Sequence, residues 1–306
     1  MPFFDREKYK IQSCYQRYFD LISADMRLSP RSIQKYREIV GCLINEIGNI
    51  DVRKIDKEMI SKLKNQLNAK NLSSSRKNHY LVVLRNLTKF LSEEEGLNII
   101  DSSQIKKFKE ESRPVDYLSD EEVKILLDSI GEESITKLRL KTLIICLLST
   151  GARISEVISL NKDDINFETG ISNVIGKGTK INQVIFNEVS RDYLKKYFNK
   201  RQDSCPALFA TSLTKSPRRW QVNCVERAMR NQGRNAGLKK RVYPHLLRKT
   251  SASKMFFSGA PLPVVSKFLS HSDLATTQKY YLRGATFEEV KKYHKSLNYG
   301  HLIDNK

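Results

Sequence analysis

Residues 269–281, with the sequence LSHSDLATTQKYY, set the organisation of the carboxy-terminal half of the chain. His271 and Tyr280 are nine residues apart, so on one continuous helix, at about 100° per residue, they would lie on opposite faces. Ser272 and Asp273 are both good N-cap residues for a helix that begins directly after them. The stretch therefore predicts a histidine in a loop and a tyrosine about two turns into the next helix, with both side chains able to face one pocket.

Length and charge limit the class of protein, since 306 residues allow two medium domains and a formal net charge of +20 favours a polyanionic partner. Nucleic acid is favoured over a membrane surface, because the longest apolar run, Leu143–Leu148, is far shorter than the roughly 18 residues that span a bilayer. The amino terminus, MPFFDREKYK, lacks an apolar signal segment. We therefore expect a cytoplasmic, nucleoid-associated protein with no membrane partner.

Cysteine usage does not support a disulfide framework or a zinc site. The five cysteines are an odd number, they are widely scattered, and no two form a CxxC pair. Such residues are typical of small apolar side chains in a reducing compartment. They are Cys14, Cys42, Cys146, Cys205 and Cys224.

The first third of the chain has apolar residues at spacings of three and four, the pattern of amphipathic helices. Two helices are predicted within Tyr9–Asn49, and Ser29-Pro30 fits the N-cap and first position of the second. Two more are predicted over Lys57–Asn68 and Ser73–Glu94. Residues 1–100 are therefore predicted to form a four-helix module.

A polar segment separates this module from the rest of the chain. Between residues 101 and 116 the apolar periodicity weakens, and the sequence SSQIKKFKEESRP predicts an interdomain linker. Ser119 and Glu122 then have the spacing of a capping box. This indicates a second domain that covers residues 117–306.

The second domain is predicted to combine helices with a small sheet. An apolar helix over Lys137–Ser149 is stopped by Gly151, and a short helix follows. A capping box at Thr286–Glu289 starts a final helix over residues 286–297. The predicted fold class is mainly α with a small antiparallel β-sheet, in two domains: a four-helix domain and a mixed α/β domain. The runs predicted to form the sheet are Ile165–Phe167, Ile171–Ile175 and Ile181–Phe186.

Two stretches carry charge of nearly one sign. Residues 61–90 hold seven Lys or Arg and no acid, and residues 211–260 hold twelve against the single acid Glu226. A solvated helix face normally mixes both signs, so this bias favours contact with phosphates. Two cationic domains joined by a linker suit a clamp around a DNA duplex. The predicted DNA contacts are Lys62, Lys64, Arg76, Lys77, Arg218, Arg219, Lys239, Lys240 and Arg241.

Four separate sites hold residues that phosphodiester transfer needs. Arg153 and Glu156 are three residues apart on one helix face, where the carboxylate can hold the guanidinium. Lys177 lies at the tip of a glycine-flanked turn between two predicted strands. His245 and Arg248 also share a helix face, and His271 with Tyr280 completes the set. Each pair alone is common on protein surfaces, so their combination carries the argument.

In this order the motifs resemble the tyrosine recombinase family, which includes phage integrases and Xer-type site-specific recombinases. The motifs are TGARISEV at residues 150–157, GKGTK at 176–180, HLLRKTSAS at 245–253 and LSHSDLATTQKYY at 269–281. The amino-terminal module resembles the core-binding domain of that family. Two positions depart from the family pattern: Ser270 stands where a glycine usually precedes the histidine, and Lys249 stands where a histidine is frequent.

The resemblance implies a role for each residue of the set. Arg153 and Arg248 would stabilise negative charge on the phosphate, which planar guanidiniums do well. Tyr280 would be the nucleophile, and since its free pKa is about 10 it needs a base, for which His245 is the candidate. Tyr281 is the rival nucleophile, but adjacent helix positions point about 100° apart, and the family spacing favours Tyr280.

The remaining implied roles concern the leaving group and the phosphate. Lys177 is the candidate general acid for the 5′ hydroxyl, and His271 is the candidate hydrogen-bond donor to the phosphate. The resemblance implies a 3′-phosphotyrosine intermediate and rejoining without ATP, metal or other cofactor. It also implies that the helix over residues 286–297 docks on a neighbouring copy in a homo-tetramer on two DNA sites. The sequence leaves open whether a second recombinase or accessory protein is a further partner.

Two alternatives remain at this stage. A type IB topoisomerase uses the same chemistry to nick and reseal one duplex, although the helical module and docking helix favour recombination. The other is a non-catalytic DNA-binding protein or a metal-dependent nuclease that uses Asp163, Asp164 and Glu168. The target sequence stays open, as does the choice among chromosome-dimer resolution, movement of a mobile element and inversion.

Overall fold

The computed structural model describes residues 7–25, 30–110, 116–176, 181–211 and 216–270. The chain divides into two compact units, Met1–Ser112 and Arg113–Lys306. Within the described ranges, no helix is long and apolar enough to cross a membrane.

Over its described residues, the amino-terminal unit contains four α-helices: α1 (Ile11–Ala24), α2 (Pro30–Ile47), α3 (Lys57–Ala69) and α4 (Ser74–Glu93). Side-chain caps fix two of the helix starts. The Asp56 carboxylate accepts the Met59 N–H ahead of α3, and the Ser73 hydroxyl accepts the Arg76 N–H ahead of α4. The core between the helices is apolar and includes Leu43, Leu63, Leu67, Leu81, Leu84 and Leu87, all fully buried.

Part of the predicted linker belongs to this unit. Ser102–Gln104 form a 3₁₀ turn that begins at Asp101, and the following Ile105 is completely buried in the amino-terminal core. The buried Ile105 therefore anchors the first part of the predicted linker on the amino-terminal unit.

The second unit contains seven further helices and two strands within its described residues. It is mainly helical with one small antiparallel sheet, which confirms the predicted fold class. The predicted capping box is present: the Ser119 hydroxyl accepts the Glu122 N–H at 3.2 Å, and the Glu122 carboxylate accepts the Ser119 N–H at 2.8 Å. The elements are α5 (Asp120–Asp128), α6 (Ile135–Thr150), α7 (Ile154–Ser159), β1 (Ile171–Ile175), β2 (Ile181–Ile185), α8 (Glu188–Lys200), α9 (Val222–Asn235), α10 (Pro244–Phe257) and α11 (Leu262–Phe268).

The described sheet has two strands rather than the three that the sequence predicts. Ile171 pairs with Ile185, and Ile175 pairs with Ile181. The run Ile165–Phe167 does not form a strand, because the side-chain oxygen of Asn166 accepts the N–H groups of Glu168 and Thr169 and closes a turn there.

Helix α6 is the centre of the second unit. It is apolar on nearly every face, and Leu143, Ile144 and Leu147 are fully buried. It packs against α8 and against α10, which together cover it from different sides. Because its carboxyl end meets α10 and α7, the turn after α6 is the place where the predicted site residues can converge.

Candidate functional site

The turn after α6 requires a glycine. Gly151 caps the helix with a left-handed φ of 57°, which a glycine adopts without strain. A Cβ atom at this position would lie 2.3 Å from Cε1 of Phe268. The absence of a side chain therefore lets the end of α11 approach the end of α6 directly.

Arg153 and Glu156 form the pair that their spacing predicts. The Glu156 carboxylate accepts two hydrogen bonds from Arg153, one from the guanidinium Nη1 and one from the backbone N–H, both at 2.8 Å. The glutamate side chain is 4% exposed and the arginine side chain is 40% exposed. One end of the pair is thus fixed in the protein, while the guanidinium still reaches solvent, where a phosphate could bind it.

Arg248 joins the two helix ends that meet at this turn. It lies on α10 and is 3% exposed. Its Nη1 donates to the carbonyl oxygen of Gly151 at 2.6 Å, and its Nη2 donates to the carbonyl oxygen of Leu269. A buried guanidinium between two carbonyl oxygens is a fixed positive charge, and one of those carbonyls, Gly151, is two residues before Arg153 in the chain.

His245 lies one helical turn before Arg248, as the second residue of α10. The residue is exposed by its total surface, yet the protein withdraws part of its imidazole from water, and this desolvation lowers the pKa of His245. The positive charges of Lys249, Arg248 and Arg153 lower that pKa further. The imidazole is therefore neutral at pH 7, which is the state that can accept a proton.

Ser270 explains one of the two departures from the family pattern. Its φ of 49° is the only positive φ of a residue other than glycine in the described segments. This conformation suits glycine, because a Cβ atom there crowds the following carbonyl. The backbone immediately before His271 thus has the geometry for which a glycine would be the relaxed choice.

Three predicted site residues lie outside the described residues: Lys177, His271 and Tyr280. The predicted rival Tyr281 and the final helix over residues 286–297 lie outside them as well. The structure therefore brings together Arg153, Glu156, His245 and Arg248 from the predicted set.

A second group of contacts holds α10 in place, and no sequence pattern predicts it. The hydroxyl of Thr250 accepts the Leu118 N–H at 3.0 Å. Lys240 Nζ donates to the Tyr117 carbonyl oxygen and to the Glu122 carboxylate, both at 2.7 Å. The start of the second unit is thus tied to the helix of the His-x-x-Arg pair and to the loop before it. A threonine in a helix carries no pattern that predicts this contact.

The predicted DNA contacts divide by exposure and by partner. Lys64 and Lys77 are half-buried beside the ring of Phe108, at 5.3 and 5.6 Å from its centroid. The exposed members are Lys62, Arg76, Arg218, Lys239 and Arg241.

For the other two predicted DNA contacts, Arg219 and Lys240, the structure supplies partners inside the fold. Arg219 donates to the carbonyl oxygens of Ile158 and Leu160 at 2.5 and 2.6 Å and to the Asn161 side chain at 2.6 Å. Lys240 is bound at Glu122, as described above. Both side chains thus have roles within the fold, and their contact with DNA stays a prediction.

The acids proposed for a metal-dependent nuclease do not form a ligand cluster. Asp163, Asp164 and Glu168 are exposed, and the Asp164 carboxylate accepts the Asn161 N–H at 2.7 Å as a turn cap. In the part of the chain that the structure describes, no group of three or more His, Cys, Asp or Glu side chains is placed to hold a metal ion.

Comparison with known proteins gives matches to one family. Residues 116–285 match the phage integrase family. Tyrosine recombinase XerC of Natranaerobius thermophilus is 30% identical over 243 residues, which are 74% of this chain and 79% of that protein. Tyrosine recombinase XerA of Pyrococcus furiosus is 35% identical over 164 residues, which are 53% of this chain and only 56% of that protein.

The fold also matches solved structures. The Tn1549 transposon integrase, in complex with transposon right end DNA, superimposes with a TM-score of 0.75 over 93% of this chain and 98% of that one. At 17% identity this similarity concerns the fold alone.

Proposed function

Because the chain belongs to the phage integrase family and is a tyrosine recombinase that acts in site-specific DNA recombination, we propose that it cuts and rejoins DNA through a 3′-phosphotyrosine on Tyr280. The observation that carries this proposal is the bond from Arg248 to the Gly151 carbonyl oxygen. This bond joins the helix of His245 to the turn that presents Arg153. In support of the proposal, the charges of Arg248 and Arg153, from distant segments of the chain, both act on the His245 imidazole.

In the cleavage step, the phenol oxygen of Tyr280 attacks the scissile phosphorus and its proton passes to His245. The bond between phosphorus and the 5′ oxygen breaks, and Lys177 gives that oxygen a proton. Arg153 and Arg248 stabilise the extra negative charge on the nonbridging oxygens. The lowered pKa of His245 supports the base role, because a protonated imidazole could not accept the phenol proton.

In the rejoining step, the 5′ hydroxyl of an incoming strand attacks the phosphotyrosine and gives its proton to Lys177. Tyr280 leaves and regains its proton from His245, while His271 donates a hydrogen bond to the phosphate in both steps. The phosphotyrosine keeps the energy of the original phosphodiester, so rejoining needs no ATP. In this scheme side chains supply all the positive charge, and a metal ion has no step to perform.

A nicked suicide duplex tests this proposal. Cleavage near the nick releases a short fragment that carries the 5′ hydroxyl. Rejoining therefore fails, and the covalent protein–DNA adduct accumulates. We expect an adduct in EDTA with the unmodified chain and with Tyr281→Phe, and none with Tyr280→Phe. A product that forms only with Mg²⁺, or an adduct that survives Tyr280→Phe, would contradict the proposal.

We further propose the domain organisation and assembly that the family resemblance implies. Residues 1–100 would be the core-binding domain and residues 117–306 the catalytic domain, and the helix over 286–297 would dock on a neighbouring copy. Four copies would then act on two duplexes. The proposed DNA contacts are Lys62, Lys64, Arg76, Lys77, Arg218, Arg219, Lys239, Lys240 and Arg241.

Strand exchange separates recombination from topoisomerase activity. With two labelled duplexes that carry the target site, a recombinase yields recombinant products and a particle of four protein chains in light scattering. A chain truncated after Gly284 should still form the adduct but yield few recombinant products. Relaxation of supercoiled plasmid without any recombinant product would favour the topoisomerase.

A further inference from the structure

We propose that residues 105–110, IKKFKE, are a fixed part of the DNA-contact surface of the amino-terminal unit; this rests on the proposed function in DNA recombination. We call these residues the docked segment. The sequence places them in a linker, but the structure holds them against α3 and α4. The ligand is the phosphate backbone of duplex DNA.

Asn78 holds the docked segment at its middle. This α4 residue is 4% exposed, and its side chain forms three hydrogen bonds with the segment. Its carbonyl oxygen accepts the Phe108 N–H at 2.7 Å, and its amide donates to the Phe108 carbonyl oxygen at 3.1 Å and to the Glu110 carboxylate at 2.8 Å. A buried amide that satisfies both backbone groups of one residue fixes that residue as a strand partner would.

Two further contacts anchor the docked segment on the basic helices. Ile105 is fully buried in the core at one end. The Phe108 ring lies beneath Lys64 of α3 and Lys77 of α4, at 5.3 and 5.6 Å from their Nζ atoms. Lys77 Nζ also donates to the Asn68 side chain at 3.1 Å. The segment thus sits beside the stretch that carries seven cations and no acid.

Ile105 and Phe108 pack against the unit, so the lysines between and after them are exposed to solvent. Lys106, Lys107 and Lys109 are exposed, and so is the single acid, Glu110, whose carboxylate is held by Asn78. The ion pairs within the described part of this unit involve other cations: Arg17 with Glu95, Arg53 with Asp51, Lys70 with Glu46 and Lys89 with Glu93. Three exposed ammonium groups on a fixed backbone, beside further cations, form a surface that suits adjacent phosphates of a duplex.

The salt dependence of DNA binding tests this assignment. Binding of the full chain to a duplex is measured from low to high salt, for the unmodified chain and for Lys106→Gln/Lys107→Gln/Lys109→Gln. Each lost phosphate contact lowers the slope of log affinity against log salt by about 0.9, so the triple variant should lose about 2.7. The matched control removes the same charge elsewhere in the unit, at exposed Lys8, Lys35 and Lys54. We expect the control to keep most of the slope.

The outcomes separate this inference from the proposed function. If the unmodified chain binds DNA and the triple variant keeps its slope, or if both triple variants lose the same slope, the docked segment has no special role and the inference is overturned. If the unmodified chain binds no duplex at all, the proposed function falls and the inference falls with it.

A second measurement tests the docking itself. Trypsin cleaves after lysine, so accessibility of the docked segment appears as the rate of cutting after residues 106, 107 and 109. Asn78→Ala should raise that rate on the order of tenfold, because three hydrogen bonds are lost, and should weaken DNA binding although no charge changes. The control is Asn86→Ala on the same helix, whose amide contacts only the Tyr36 hydroxyl in its described bonds, at 3.4 Å. Equal cutting rates in the two variants would contradict the docking.

Discussion

In the amino-terminal unit, exposed lysines and arginines such as Lys62 and Arg76 extend into solvent, whereas in the second unit Arg153 and Arg248 are each held by protein oxygens. In the first arrangement many cations share a surface, and one cation can compensate for the loss of another. In the second, each guanidinium is fixed at defined atoms, and no neighbouring cation can take its position. A long-range field needs only the sum of its charges, while a transition state needs donors at set distances.

The largest effect is expected at Arg153. Removal of one positioned donor to a developing oxyanion costs about 10²–10³ in rate, so Arg153→Ala should slow adduct formation on the suicide duplex by about that factor. Higher DNA concentration should not restore the rate. Exposed Arg234 in the same unit provides the matched control, Arg234→Ala. An equal loss of rate in both variants would show that only the total charge matters and not the position of Arg153.

Arg248→Ala should lower stability as well as activity. The side chain is buried, and its removal leaves the carbonyl oxygens of Gly151 and Leu269 without this donor. We expect a loss of about 2–4 kcal/mol in the free energy of unfolding, measured by urea denaturation. Arg153→Ala should cost less, since that side chain is 40% exposed and the Glu156 carboxylate keeps the backbone N–H of residue 153 as a donor. Equal losses of stability would show that the two arginines are held alike.

The pH dependence of cleavage should reflect the positive charges of Lys249, Arg248 and Arg153 around His245. We call these four residues the cationic corner. The base must be neutral to accept the phenol proton, and both desolvation and the neighbouring charges lower the pKa of His245. Activity that depends on this base should therefore persist as pH falls past the ordinary histidine value of about 6.5 and decline only below it. Single-turnover rates from pH 5 to pH 8 measure this, and a midpoint above the ordinary value would contradict the assignment.

Single substitutions on the amino-terminal unit should have graded effects. Lys62→Gln and Arg76→Gln should each lower the salt slope of DNA binding by about 0.9, and the double variant by about twice that. Lower salt should recover the lost binding, in contrast to the loss at Arg153. A single substitution that abolishes DNA binding at low salt would show that this unit also depends on the exact position of single charges.

Ser270→Gly is expected to give the smallest effect and the opposite sign. A left-handed conformation costs a residue with a Cβ atom about 1 kcal/mol, so glycine should raise the free energy of unfolding by up to that amount. Ser258, at the end of α10, has a φ of −78° and gives the control Ser258→Gly, which should not stabilise. Similar shifts in thermal midpoint for both variants would contradict the reading of Ser270.

The features that the sequence predicts correctly are local. The capping box at Ser119 and the pair Arg153–Glu156 depend on residues three apart, so periodicity and helix geometry are enough to find them. The helix stop at Gly151 is local as well, and it also permits the close approach of Phe268, which no spacing reveals.

The features that the sequence does not predict depend on distant partners. Lys240 meets Glu122 across 118 residues of sequence, and Arg219 meets the Leu160 carbonyl oxygen across 59, so a count of charges does not reveal these partners. Ile105 and Phe108 are too few apolar residues to define a period in a polar segment, although they anchor it. The run Ile165–Phe167 is too short for alternation to separate a strand from a turn.

The central claim is that the cationic corner of the second unit serves one nucleophilic tyrosine. The most direct test is mass spectrometry of the tryptic peptide from the trapped adduct, YYLR at residues 280–283. Fragmentation assigns the nucleotide phosphate to the first or the second tyrosine. The account predicts the modification on Tyr280 in the unmodified chain and, at the same early reaction time, about 10²–10³-fold less of it in Arg153→Ala; modification of Tyr281, or of a residue outside this peptide, would contradict it.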